Sequence, residues 1–296
     1  MHKSSIYLPD DLKRSLTRQA AVSGRSEAEL IRRAIEQLLG SAAGAEAGTA
    51  TGGAVDVAAP ELAGPMLVGV GVGPGDASLV TARAVAALRS ADRVLVATTD
   101  ARSISRAEAV VRVVAPLAPI ERVAFEITAA PARAASMDRM VDAALGAIGA
   151  GELVAVAVLG DPAQWTVFPQ LAARVRTLRP AVAVTAVPGV TAYQAVAAAE
   201  VLVLGEGAGA FVVTADPQRA RRAIDEGEAV VLHKATTDGE TVRRMVLDTG
   251  RDDAVLAELT GLPAGRNRNA AETPDGPLAY LSSVIVPQRP AARAAR

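Results

Sequence analysis

Leu67-Val68-Gly69-Val70-Gly71-Val72-Gly73-Pro74-Gly75-Asp76 decides how this chain is read. It starts as an aliphatic run of strand type, Leu67–Val72, and breaks into glycine and proline just before an amphipathic helix expected over Ser78–Leu88. A strand that ends in such a turn and passes into a helix is the opening unit of an α/β fold, and its glycines allow close backbone approach by a ligand. The turn fails both common nucleotide fingerprints. Pro74 and Asp76 stand where the last glycine of G-x-G-x-x-G belongs, and no Gly-Lys-Ser or Gly-Lys-Thr follows. A nicotinamide dinucleotide or ATP is therefore not the natural ligand. Asp76 would repel phosphate but tolerates a cofactor with a ribose and a cationic centre.

Outward from this unit, strand-like runs alternate with helical stretches: Arg93–Ala97, Arg122–Phe125, Leu153–Leu159, Val182–Val187, Phe211–Thr214, Ala229–Leu232, Ala254–Leu256 and Tyr280–Val286. Several are continuous aliphatic runs, as expected where helices cover both faces of a sheet. About five strands fall on each side of a break near residues 200–210. The reading is two consecutive α/β domains, 65–199 and 200–287, with a cleft between them and a basic tail at 288–296. Before them, residues 40–64 are rich in Gly, Ala and Thr with no helical stripe, and read as a flexible linker spanning roughly 25–30 Å.

Residues 1–39 are a different unit. Lys3–Leu8 is a short strand-like run ended by Pro9, and Leu12, Leu16 and Ala20 recur every four residues. Gly24 suits a helix end, Ser26-Glu27-Ala28-Glu29 is a capping box, and Leu30, Ile31, Ala34, Ile35, Leu38 and Leu39 form the apolar face of a second helix. Forty residues bury too little core alone and a single strand needs a partner, so this unit is expected to dimerise through its strand. Seven basic against five acidic side chains give it a surplus of +2, which leaves −3 for the remainder of a chain of net charge −1.

Composition excludes several classes. There is no cysteine, so thiol catalysis, zinc ribbons and iron–sulfur clusters are out, and His2 and His233 are too few for a histidine-rich metal centre. No metal is expected. The longest apolar runs fall far short of the roughly 18 residues of a membrane span, and Asp10 and Asp11 interrupt the N-terminus before any signal-type apolar core. A cytoplasmic protein without membrane contact is expected.

Two further loops follow strand-like runs: Leu159-Gly160-Asp161-Pro162, and Val187-Pro188-Gly189-Val190-Thr191-Ala192-Tyr193-Gln194. Ligands of open α/β sheets bind beyond the carboxyl ends of strands, where these loops lie, although each alone also fits ordinary turn chemistry. In this order and spacing, VGVGPGD, LGDP and VPGVTAYQ resemble the tetrapyrrole methylase family of S-adenosylmethionine-dependent enzymes, from about Met66 to Val286. The GPGD helix, the Leu232-His233-Lys234 segment and the late YLSSVIV are most similar to the subgroup that methylates carbon 20 of precorrin-2. The resemblance implies a homodimer of two-domain subunits with the cofactor lodged in the cleft. By position it implies cofactor contacts at Gly73, Pro74, Gly75, Asp76, Leu159, Gly160, Asp161, Gln164, Thr191, Ala192 and His233. No catalytic side chain is assigned, because methyl transfer from a sulfonium to carbon asks mainly for positioning. A tetrapyrrole precursor carries many carboxylates, so Arg102 and Arg106 are the substrate-binding candidates, with a solvated loop as the alternative. His233 and Lys234 could instead simply end a strand, and Trp165, Phe168 and Tyr193 could wall a pocket or pack the core. The chain departs from the subgroup at Ala163-Gln164-Trp165-Thr166-Val167, where relatives usually carry a serine and a tyrosine.

The head, through its strand, the Pro9 break, Gly24-Arg25-Ser26 and two helices, resembles the ribbon-helix-helix family of dimeric DNA-binding proteins. That resemblance implies duplex DNA as a partner, with Lys3, Ser5 and Tyr7 facing bases and Arg25 and Ser26 holding phosphate. The readings that remain open are an enzyme with a DNA-binding or dimerising head, a transcriptional regulator whose body senses S-adenosylmethionine or a tetrapyrrole, and a methylase of the same fold for another substrate.

Overall fold

The computed structural model describes residues 62–100, 102–126, 130–234 and 238–289, and in the head Lys13, Thr17, Ser26, Glu27, Ala28 and Ile31. The chain forms two compact units, Met1–Ala59 and Pro60–Arg296. In the first, Lys13, Thr17, Glu27, Ala28 and Ile31 are helical. Glu27 pairs with Lys13 and accepts a hydrogen bond from the Thr17 hydroxyl at 2.6 Å. The expected strand, with Lys3, Ser5 and Tyr7, lies outside the described residues, as do Arg25, Glu29 and the linker up to residue 61.

The second unit holds two five-stranded sheets. In the first, β1 (Met66–Gly71), β2 (Arg93–Thr98), β3 (Ile120–Ala124), β4 (Leu153–Val158) and β5 (Ala183–Val187) are all parallel in the order β3-β2-β4-β1-β5. β1 and β4 are the central pair, and all twelve of their residues are buried. Alternation along each strand divides the core between the two faces. Met66, Val68 and Val70, with Leu153, Ala155 and Ala157, pack against α1 (Ala82–Ser90) and α2 (Arg106–Val114). Leu67, Val154 and Val156 pack against α3 (Ala130–Gly149) and α4 (Phe168–Leu178). Gly69 is needed on that second face, because a Cβ there would lie 2.6 Å from the Phe168 ring.

The second sheet is mixed, in the order β6-β7-β10-β8-β9, from β6 (Phe211–Thr214), β7 (Ala229–His233), β8 (Val255–Glu258), β9 (Arg266–Asn269) and β10 (Ser282–Val286). Only β6 and β7 run parallel; the other neighbours are antiparallel. One face packs on α6 (Pro217–Asp225) and α7 (Gly239–Asp248). The other face receives Tyr193 and Val196 of α5 (Ala192–Ala199), which meet Val231, Ala257 and Ile285. Helix α5 thus begins at the end of a first-sheet strand and buries its apolar side on the second sheet, so one helix joins the two halves.

Several expectations are corrected. The helix expected over Ser78–Leu88 is a 3-10 turn, Ala77–Leu79, capped by Asp76, followed by α1 capped by Thr81; each cap satisfies free N–H groups and restarts the chain direction. β9 is absent from the sequence reading because Arg266-Asn267-Arg268-Asn269 is a polar edge strand with no apolar alternation. Its antiparallel ladder on β8 is reinforced by ion pairs: Arg266 and Arg268 donate to the buried Glu258 carboxylate of β8 at 2.8 and 2.9 Å. Tyr280 lies outside β10 and is half exposed. The tail expected from residue 288 is tied down at its start, since the Gln288 N–H donates to the Val203 carbonyl at 2.7 Å and Arg289 donates to the Gly250 carbonyl at 2.8 Å.

Candidate active site

The three strand-end loops meet beyond the carboxyl ends of β1, β4 and β5. The Gly160 N–H donates to the Gly73 carbonyl at 2.8 Å, and the two residues form an isolated bridge. A Cβ on Gly71 would sit 2.5 Å from the Gly160 carbonyl oxygen and 2.7 Å from the Gly189 Cα, and a Cβ on Gly189 would sit 2.2 Å from that same oxygen. The loops are therefore in backbone contact. Asp161 ties two of them: one carboxylate oxygen accepts from the Ala163 N–H at 2.8 Å and the other from the Gly189 N–H at 3.1 Å. Gly160 has φ of 70°, a left-handed turn that glycine adopts without strain. Its Cβ side is nearly empty, with only the Thr191 Cα at 3.9 Å.

Other predicted residues have local duties. Asp76 accepts from the Ser78 N–H at 2.8 Å, and hydrogen bonds from the Ser78 side chain and backbone hold its carboxyl below the usual range. Thr191 is buried and caps α5, accepting from the Gln194 N–H at 3.3 Å, while its own N–H donates to the Gln194 side chain at 2.9 Å. Ala192 is the first residue of that helix. Pro74 is buried in the glycine turn, Leu159 is half buried against the core of the first sheet, and the Gln164 side chain accepts from the Tyr193 hydroxyl at 3.2 Å.

His233 closes β7 beside this group. Its Nδ1 lies 3.2 Å from the Ser283 hydroxyl of β10, and its ring leans on Trp165 with centroids 5.0 Å apart at 43°. Burial first, and the neighbouring Lys234 charge second, push the His233 imidazole down to about 4, so it is neutral near pH 7. Phe168 and Tyr193 are core residues at 6% exposure, whereas Trp165 is 41% exposed. Of the three aromatics, only Trp165 lies at the surface of the site.

Arg102 and Arg106 separate. Arg106 lines a cavity of about 280 Å³ together with Gly75, Ala77, Ile104, Val110 and Leu262. Arg102 is outside it, with its side chain 95% exposed and 3.9 Å from Asp100. The far wall of the cavity comes from the second half, and sequence reasoning missed it. Gly261 packs so closely on the glycine turn that a Cβ there would lie 2.8 Å from the Asp76 nitrogen. Its only sequence signal is a glycine two residues before a proline in Thr260-Gly261-Leu262-Pro263, an ordinary turn pattern. A larger depression, about 730 Å³, lies at the amino ends of β2 and β3, the opposite end from the ligand-binding side of such sheets. Ion pairs occupy it: Glu108, fully buried, accepts from Arg122 at 2.7 Å and from Arg112 at 2.8 Å.

Residues 66–264 match the family described as Tetrapyrrole (Corrin/Porphyrin) Methylases, and residues 5–41 match the ribbon-helix-helix protein, copG family. A precorrin-2 C(20)-methyltransferase from Sinorhizobium sp is 29% identical over 235 residues, covering 75% of this chain and 94% of that protein. The structure of a cobalt precorrin-4 methyltransferase superposes with a TM-score of 0.56 at 19% identity, covering 75% of this chain and 94% of the other. A uroporphyrin-III C-methyl transferase from Thermus thermophilus, complexed with S-adenosylhomocysteine, gives a TM-score of 0.51 at 21% identity over 74% and 91%. The family match spans more than half of the chain and begins at β1, so this chain belongs to the tetrapyrrole methylases, S-adenosylmethionine-dependent C-methyltransferases that carry here an N-terminal ribbon-helix-helix domain.

Proposed function

We propose that the body methylates carbon 20 of a precorrin-2-type macrocycle, with the cofactor held by Gly73–Asp76, Leu159–Asp161, Gln164, Thr191, Ala192 and His233. The observation that carries the reading is the convergence of three glycine loops beside a cavity that Arg106 lines. The residues fit the cofactor: the Gly160 corner is open on its Cβ side, and a neutral His233 does not repel a sulfonium. S-adenosylmethionine bound there supplies an electrophilic methyl group. The chain's own part is to hold an electron-rich carbon in line with it, with Arg106 meeting a substrate carboxylate, while a proton departs from the methylated carbon. Incubation of the full chain with S-adenosylmethionine and either precorrin-2 or cobalt-factor II tests this by mass spectrometry. One added methyl group is expected; cofactor binding without methylation of either macrocycle refutes the substrate assignment.

The head supports a second role. Its family match and its excess of basic side chains favour binding of duplex DNA by a homodimer in the cytoplasm, through Lys3, Ser5, Tyr7, Arg25 and Ser26. Affinity should fall steeply with salt, and Lys3→Ala or Tyr7→Ala should weaken it without disrupting the dimer. A gel-shift titration of the full chain at two salt concentrations decides it, and repeating the titration with S-adenosylhomocysteine separates a regulator, whose DNA affinity then changes, from an enzyme with an independent head.

A further inference from the structure

Among the described residues four non-glycines have positive φ: Trp165, Val201, Lys234 and Leu259. Two of them meet. Lys234, φ 53°, donates from Nζ to the backbone carbonyl of Trp165, φ 49°, at 3.1 Å. Left-handed backbone strains any side chain with a Cβ, and such strain persists only where surrounding contacts over-determine it. Here the bond runs between halves: Trp165 belongs to the loop after β4 of the first sheet, and Lys234 follows β7 of the second. The Trp165 ring meets His233 one residue earlier, so two contacts fasten this loop to one strand end. The fastened loop also carries Gly160, Asp161 and Gln164. Lys234 is half buried, and among the described residues it has no carboxylate partner, so the Trp165 carbonyl is the acceptor that holds its ammonium.

We propose that Lys234 is a positioning residue for methyl transfer, holding the Gly160–Val167 loop against the end of β7 through the Trp165 carbonyl. The inference rests on the reading of that loop as cofactor-facing. A glycine at 234 would take the same turn without strain but would leave the loop unfastened; an arginine would keep both strain and donor; a methionine would keep the strain and lose the donor.

The three variants separate a positioning role from a stabilising one. Trp165 is the single tryptophan of the chain beside three tyrosines, so fluorescence of the full-length protein under tryptophan-selective excitation reports on this loop alone. Lys234→Met and Lys234→Gly should red-shift the emission, lower its anisotropy and weaken S-adenosylhomocysteine binding about tenfold, the loss expected for one hydrogen bond from a charged donor. Lys234→Arg should keep both properties within about twofold of the unaltered chain. The melting temperature of Lys234→Gly should not fall, because strain is relieved. Unchanged emission and affinity in Lys234→Met, or a Lys234→Gly chain that loses stability and affinity together, would overturn the inference. If the unaltered chain binds no S-adenosylhomocysteine, the cofactor reading fails on its own and the fluorescence comparison alone decides the role of Lys234.

Discussion

Gly189→Ala puts one methyl group into the meeting point of the three loops. Its Cβ would fall 2.2 Å from the Gly160 carbonyl oxygen and 2.8 Å from the Gly71 Cα, and contacts under 3.0 Å do not persist. The obstructing atoms are backbone, so relief requires a loop to move by about 0.8 Å, from 2.2 Å out to the 3.0 Å limit. Overpacking of this kind costs about 1–3 kcal/mol, or about 3–9 °C in melting temperature for a unit of this size. A displacement near 1 Å at a site that works by alignment costs about 100-fold in rate. The two costs are similar in free energy, but a fold with about 5–15 kcal/mol of stability survives such a loss, so the chain should stay folded while its rate falls about 100-fold. Gly146→Ala on α3, where a Cβ meets nothing within 4 Å, is the control and should stabilise by about 0.5–1 kcal/mol. Because Gly71→Ala strikes the same carbonyl at 2.5 Å and the Gly189 Cα at 2.7 Å, the two substitutions should not be additive. Calorimetric S-adenosylhomocysteine affinity, methyl transfer and thermal unfolding are the assays. A Gly189→Ala chain with affinity and turnover within twofold of its parent would refute the claim that these contacts set the site.

Glu108 is fully buried, and hydrogen bonds from Arg122 first, opposed by burial and reinforced by Arg112, hold its carboxyl down at about 2 instead of 4.5. It therefore contributes about 3 kcal/mol of stability that is present above pH 4.5 and fades as pH falls toward 2; melting temperatures across that window should fall less steeply for Glu108→Gln, already weaker at pH 7. Arg251, 2% exposed, pairs with Asp253 at 2.8 Å and reaches the Pro287 carbonyl, so Arg251→Ala should cost about 2–3 kcal/mol in a denaturant titration. Arg106→Ala should raise the Michaelis constant for the macrocycle about tenfold with turnover nearly constant. Arg102→Ala, whose side chain is 95% exposed, should change it less than twofold; equal effects would contradict the cavity assignment.

The aliphatic runs at Leu67–Val72 and Leu153–Leu159 are legible in the sequence because a strand covered on both faces needs apolar residues throughout, a requirement each run meets alone. The three loops are legible for a similar reason: glycine and proline act on the residues beside them, and a strand end followed by a helix leaves little choice of conformation. The family follows from those loops and their spacing. The sequence could not show what Asp161 does, since its partner Gly189 is on another loop and becomes a neighbour only when β4 and β5 flank β1 in the sheet.

The same limit explains the remaining differences. Gly261, Trp165 with His233, and the division between Arg106 and Arg102 depend on how the second sheet meets the first, which is set by the burial of Tyr193 and Val196 of α5 against Val231, Ala257 and Ile285. β9 escaped notice because it has no apolar pattern of its own, and both its ladder on β8 and its ion pairs with Glu258 are tertiary contacts. The sequence by itself determined the periodicities and turns that act over a few residues, and with them the fold and the chemistry of the loops. Tertiary structure alone decided which loops touch, which charges are buried and which arginine faces the cavity, because those depend on packing between segments far apart in the chain.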